Sequence, residues 1–153
     1  MVLKVFRYGE KVLREKAAPV AAVTDALRAL ADDMVETMHD SSGVGLAAQQ
    51  VGRTERLCVI DMPPDCDDDE DRAFNAPIAM PLKMFNPEIV YRKGLYLAEE
   101  GCLSLQGQRK TKRHRTIKVQ WQDRAMQTHT KNFTGWTAQI IQHEVDHCNG
   151  ILI

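Results

Sequence analysis

Residues 142 to 147 read Gln142-His143-Glu144-Val145-Asp146-His147. His143 and His147 are four apart, so on a helix their rings leave one face with Cβ atoms about 5–6 Å apart. Two imidazoles at that spacing can grip one metal ion; an exposed polar helix end is the plainer alternative. At about 100° per residue, Glu144 and Asp146 flank the histidine pair at similar angles on opposite sides. Geometry leaves open which carboxylate does chemistry. The His-Glu-x-x-His pattern selects Glu144, since in that arrangement the carboxylate beside the first ligand handles protons for a water that the ion activates. Asp146 is read as anchoring structure or orienting a ligand.

The same helix extends back to Gly135 and stops at Asn149-Gly150. One and two turns before the motif, Gln139, Ile140 and Trp136 fall within about 60° of His143. Trp136 and Ile140 are thus placed to wall an apolar pocket beside the ion; for Trp136, packing against a sheet is the plainer alternative. A catalytic ion needs at least one more protein ligand. The best candidate is Cys102, in Glu99-Glu100-Gly101-Cys102-Leu103-Ser104. The other cysteines take no role: Cys58 lies in an expected strand, Cys66 in an acidic loop, and Cys148 about 120° away from the ligand pair.

Further out, Thr24 is an N-cap for an amphipathic helix over 25–39, with Leu27, Leu30, Met34 and Met38 at helical spacing. Gly43 to Gln50 (GVGLAAQQ) reads as a Gly-rich turn entering a short helical run, whose glycines let backbone approach a ligand closely. Strands are expected at 57–61, 84–91, 117–122 and 127–133, paired antiparallel, with an irregular arm over 2–20 packed across them. The run Asp65 to Asp71 (DCDDDED) opens a long surface loop reaching Pro81, and Arg109 to Lys118 carries six Lys or Arg. Each charged run is read as solvated loop or strand edge.

The whole is expected to be one domain over 1–153, α+β, with antiparallel strands packed around the metal-bearing C-terminal helix. A net charge of −1 gives no general pull toward nucleic acid, and four irregularly spaced cysteines argue against a disulfide framework. Met1 to Phe6 runs at once into charged sequence. Neither a signal peptide nor a membrane span is expected there, which makes the cytoplasm or an organelle matrix the default location.

Three stretches in order, GVGLAAQQ, EGCLS and QHEVDH, resemble the signature motifs of peptide deformylases, enzymes that remove the formyl group from the N-terminal methionine of new proteins. YGEKVLREKAAPV and DDMVETM near the N-terminus look like the bacterial type. The resemblance implies Cys102, His143 and His147 as metal ligands and Glu144 as general acid and base. It implies Gln50 and the backbone amide of Leu103 as the oxyanion-holding groups, with Val44, Gly45 and Gly101 beside a bound N-formyl-Met peptide. Donor type alone would suggest zinc; the resemblance implies ferrous iron, with nickel, cobalt or zinc able to replace it. Two departures stand out. After EGCLS the family usually has an apolar residue and then proline, where this chain has Leu105 and Gln106. Many bacterial members also continue into a longer C-terminal helix linked to ribosome docking, while this sequence stops three residues past Gly150, which leaves the ribosome a possible but doubtful partner. Two rival readings keep the same residues: a hydrolase of another small formamide, and a catalytically silent relative that binds metal or formylated peptides.

Overall fold

Leu57, Cys58, Val59 and Ile60 are all buried, because the strand they form is covered on both faces. A computed structural model of the chain describes every residue except Leu103, Leu105, Gln106 and Ile153. Five strands form one antiparallel sheet in sequence order: β1 (Gly45–Ala47), β2 (Leu57–Ile60), β3 (Leu82–Glu100), β4 (Arg109–Gln122) and β5 (Thr128–Thr134). Helix α1 (Asp25–Asp40) covers one face, packing Leu30, Met34 and Met38 on Leu57, Val59 and Phe85. Helix α3 (Gly135–Cys148) covers the other, packing Ala138, Ile141 and Val145 on Cys58, Ile60 and Ile117. Each fully buried aliphatic side chain in these layers contributes about 1.5–3 kcal/mol. The architecture is α+β with the histidine-bearing helix against antiparallel strands.

Helix α1 begins as its sequence requires, with the Thr24 hydroxyl accepting from the Leu27 amide at 3.2 Å. The N-terminal arm is tied across the sheet edge: Phe6 N donates to Gln50 O at 2.7 Å, Tyr8 N to Ser104 O at 2.6 Å, and Ala17 N to Cys148 O at 2.7 Å. Among the described residues no helix is long and apolar enough to cross a membrane.

Three expectations need correction. Residues 43–50 are only partly helical: Gly45–Ala47 pair with β2 as a strand, and the 3₁₀ turn Ala48–Val51 follows. The expected loop over 65–81 contains a helix, α2 (Asp69–Asn75), capped by the Asp68 carboxylate, which accepts from the Asp71 amide at 2.8 Å. Its acidic first turn suits the positive end of the helix dipole, so the charge that argued for loop in fact supports a helix start. The strands at 84–91 and 117–122 are also much longer than expected, because β3 and β4 continue pairing to Glu100↔Arg109. The far half of this hairpin is mostly exposed, and of the residues it buries only Ala98 is apolar, so it carries little apolar alternation.

Candidate metal centre and active site

The long hairpin delivers Cys102 to the histidine face of α3. One donor atom each from Cys102, His143 and His147 lies within 4.8 Å of the others. Cys102 Sγ is 3.3 Å from His147 Nε2, which is 3.2 Å from His143 Nε2. Donors bound tetrahedrally to one ion at about 2.0–2.3 Å would be roughly 3.3–3.6 Å apart. The set of one thiolate and two imidazoles therefore fits a divalent metal in both chemistry and spacing.

Of the three, His143 is held from behind, while His147 Nδ1 has no hydrogen-bond partner among the described residues. His143 Nδ1 lies 2.9 Å from Glu100 Oε1, which fixes the ring and leaves Nε2 facing the cluster. Glu100 accepts two bonds from Arg113, Nε to Oε2 at 2.9 Å and Nη2 to Oε1 at 2.8 Å, and Arg113 Nη1 reaches Asp146 at 2.6 Å. Burial opposes the charged form of Glu100, but the bonds from His143 and Arg113 hold its pKa down at about 2. For His143, burial likewise opposes charge, yet hydrogen bonds with Cys102 and Glu100 raise its pKa to about 10. Burial, then the charge of His143, pushes His147 down to about 3. An imidazole must give up its facing proton to bind metal.

Glu144 stands beside the pair, buried, with Oε1 lacking a hydrogen-bond partner among the described residues. Burial pushes its carboxyl up to about 7, partly offset by His143. The glycine of β1 makes room for it, because a side-chain carbon at Gly45 would fall on the Glu144 carboxylate. The close approach expected of this Gly-rich stretch is thus first an approach to a side chain of the protein itself. Gln50 is buried at the end of the 3₁₀ turn; its Oε1 accepts from Ala47 N at 2.9 Å. That bond aims Nε2 at Cys102 Sγ, 3.4 Å away, and at Ser104 Oγ, 3.3 Å away.

A cavity of about 410 Å³ opens over these groups, walled by Val44, Gly45, Gly101, Trp136 and Ile140, with Gln50, Cys102, His143 and Glu144 at its floor. Gln139, expected on this side, instead accepts from Tyr96 Oη at 2.9 Å. Leu103, expected to offer its amide, and Gln106, which stands where the family usually has proline, lie outside the described residues. A larger hollow elsewhere, the groove along Trp121 and His129, holds no comparable set of donors among the described residues.

Sequence reasoning missed Glu100, Arg113 and Ser104. Arg113 sat unremarked in the basic run, yet it is buried. One signal could have marked the pair: once residues 92–100 and 109–116 are paired as strands, alternation puts 96, 98 and 100 on the face of 113.

The family model described as polypeptide deformylase matches residues 2–153. A peptide deformylase from Salinibacter ruber is 40% identical over 99% of this chain and 78% of its own length. One from Thermus thermophilus is 39% identical, covering 99% of this chain and 80% of the relative. Among solved structures, a class I type b peptide deformylase from Acinetobacter baumannii superposes with a TM-score of 0.86 at 37% identity, covering 99% of this chain and 97% of that one. The peptide deformylase of Ehrlichia chaffeensis does so with a TM-score of 0.88 at 35% identity, covering 99% and 86%.

Proposed function

The chain belongs to the polypeptide deformylase family, and from that premise we propose that residues 1–153 work as one catalytic domain whose Cys102, His143 and His147 hold the metal. The protein is a metal-dependent hydrolase that removes the N-formyl group from newly made peptides, releasing formate. The observation that carries the assignment of roles is the convergence of the three donors beside the buried Glu144 Oε1, which has no partner among the described residues.

A bound divalent ion supplies positive charge that lowers the pKa of a water and polarises the formyl carbonyl. Glu144 takes a proton from the attacking water as the new C–O bond forms at the formyl carbon, and returns it to the departing amine nitrogen as the C–N bond breaks. A carboxyl raised toward neutrality suits both halves of that exchange. Gln50 Nε2, aimed by the Ala47 amide, donates to the oxygen on which negative charge develops; the Leu103 amide is assigned the second donor from its place in EGCLS. Val44, Gly45, Gly101, Trp136 and Ile140 form the wall that takes the methionine side chain.

The test is formate release from formyl-Met peptides by anaerobically prepared protein, with metal analysis of the same sample. Turnover with about one metal per chain is expected, whereas metal binding without formate release would leave only a binder. Cys102→Ser should weaken metal affinity and activity together, because a serine hydroxyl is a poor substitute for thiolate. Wild-type affinity in that variant, measured by competition with a chelator, would move the third ligand elsewhere.

Iron is the metal we infer in the cell, with zinc, nickel or cobalt able to take its place. Ferrous iron beside a partly exposed thiolate joins two oxidisable centres, so the iron form should lose activity in air while the nickel form persists. Equal decay of the two forms, followed over the same hours, would contradict oxidation at the iron site.

A further inference from the structure

Asp67 sits in the acidic segment ahead of α2 and is only 8% exposed, yet its carboxylate has no Lys or Arg among its hydrogen-bond partners in the described residues. Its bonds go to the start of the histidine helix instead. Oδ1 accepts from Trp136 N at 2.6 Å, and Oδ2 accepts from Thr137 Oγ1 at 2.6 Å and Asn75 Nδ2 at 3.2 Å. Asn75 in turn brackets Thr134, donating to its carbonyl at 3.0 Å and accepting from its amide at 2.8 Å. Gly135 between them has φ +72°, and a Cβ there would stand 2.6 Å from both the Asp67 and Asp71 carboxylates.

The helix start depends on this segment. Thr134 occupies the N-cap position but makes no capping bond with its own side chain, and the free amides of a first helical turn need an acceptor. At the other end of α3, buried Arg56 donates to Cys148 O at 3.3 Å and Asn149 Oδ1 at 2.8 Å. An anion thus stands at the positive end of the dipole and a cation at the negative end, each supplied from elsewhere in the chain.

The two ends serve different parts of the site. His143 and His147 lie two and three turns along α3 from Trp136, and Glu100 independently fixes His143. The first turn carries Trp136, which lines the cavity over the donor cluster yet is 41% exposed, so side-chain packing alone does not set its place. Its backbone amide is the point that is held. We propose that Asp67 is a positioning residue for substrate selection, setting through the Trp136 backbone the wall against which the first side chain of the formylated peptide rests. This rests on the deformylase reading above.

The test compares Asp67→Ala and Asp67→Asn with Asp69→Asn, whose carboxylate is exposed on α2 and away from the cavity. Asp67→Ala should raise KM for a formyl-Met tripeptide about three- to tenfold with kcat within about twofold, narrowing the preference for formyl-Met over formyl-Ala. Metal content should stay at wild-type level. Hydrogen exchange at the Trp136 amide should speed up by about tenfold. Asp67→Asn, which keeps one acceptor oxygen, should show the same changes in smaller degree, and Asp69→Asn none. Faster exchange at Trp136 with unchanged KM and unchanged preference would overturn the proposal, as would loss of metal together with kcat, which would make Asp67 an anchor of the whole helix. Should the first variant not fold, the Asp67→Asn values decide by the same criteria. Absence of formate release by the wild type would count against the deformylase reading, while the exchange rate at Trp136 still reports whether Asp67 holds the turn.

Discussion

Glu144→Gln is expected to keep about one metal per chain and to lose about 10²–10⁴ in the rate of formate release. The substitution preserves the shape of a buried side chain while removing its ability to take and return a proton. Nothing among the described residues competes for that carboxylate, since Oε1 has no partner there and none of the three donor atoms of the metal cluster belongs to it. The drop should appear in kcat, read beside metal analysis on the same preparation. Loss of the metal would recast Glu144 as a ligand or a structural prop, and a near-normal rate would remove it from the chemistry altogether.

Arg113→Met should cost about 3–5 kcal/mol of stability, because it strips a buried carboxylate of its principal cation. Glu100 and Arg113 are both buried and share two hydrogen bonds. For a chain of this length the loss corresponds to roughly 10 °C in Tm. Metal affinity should fall about 10–100-fold as the Glu100 bond to His143 loses its brace. The double variant Glu100→Gln/Arg113→Met should recover much of the stability, since no uncompensated charge is left; a double variant no better than the single one would dismiss the explanation. The pH dependence has a definite sign. Glu100 has a folded pKa of about 2 against an ordinary 4.5, so its contribution is complete above about 4.5 and disappears as acid carries the pH down through 2. The Tm advantage of wild type over Arg113→Met should therefore be full above about pH 4.5 and shrink as the pH falls toward 2, measured as Tm against pH.

The centre was legible where chemistry demands particular residue types at fixed intervals. The pair His143 and His147, the lone Cys102 and the capped helix after Thr24 can each be reasoned from the sequence, because helical spacing and ligand chemistry leave few alternatives. The fold was hardest to read where charge dominates. Periodicity of apolar residues marks an element only if one face is dry, and the outer half of the β3–β4 hairpin has no dry face beyond a few positions. Acidic residues carry an ambiguous message, since the same run that suits solvent also suits the first turn of a helix; Asp68 and Asp69 are of the second kind. Asp67, Glu100 and Arg113 act over distances that no local pattern records. Their partners lie 69, 43 and 33 residues away in the chain.

In that outer hairpin, residues 92–100 and 109–116 bury only Ala98, Glu100 and Arg113. The sheet's dry interior is built nearer its root, from Leu82, Met84, Ile117 and Val119. The arm is therefore an outrigger: it adds little to cohesion and exists to present one brace and one thiol. A single residue inserted after Lys93 would turn every later side chain of that strand to the opposite face, carrying Glu100 away from His143 and into water and leaving buried Arg113 without its partner. Such a chain would keep the dry interior at the root of its sheet, and the cluster of Cys102, His143 and His147 would stand without its brace.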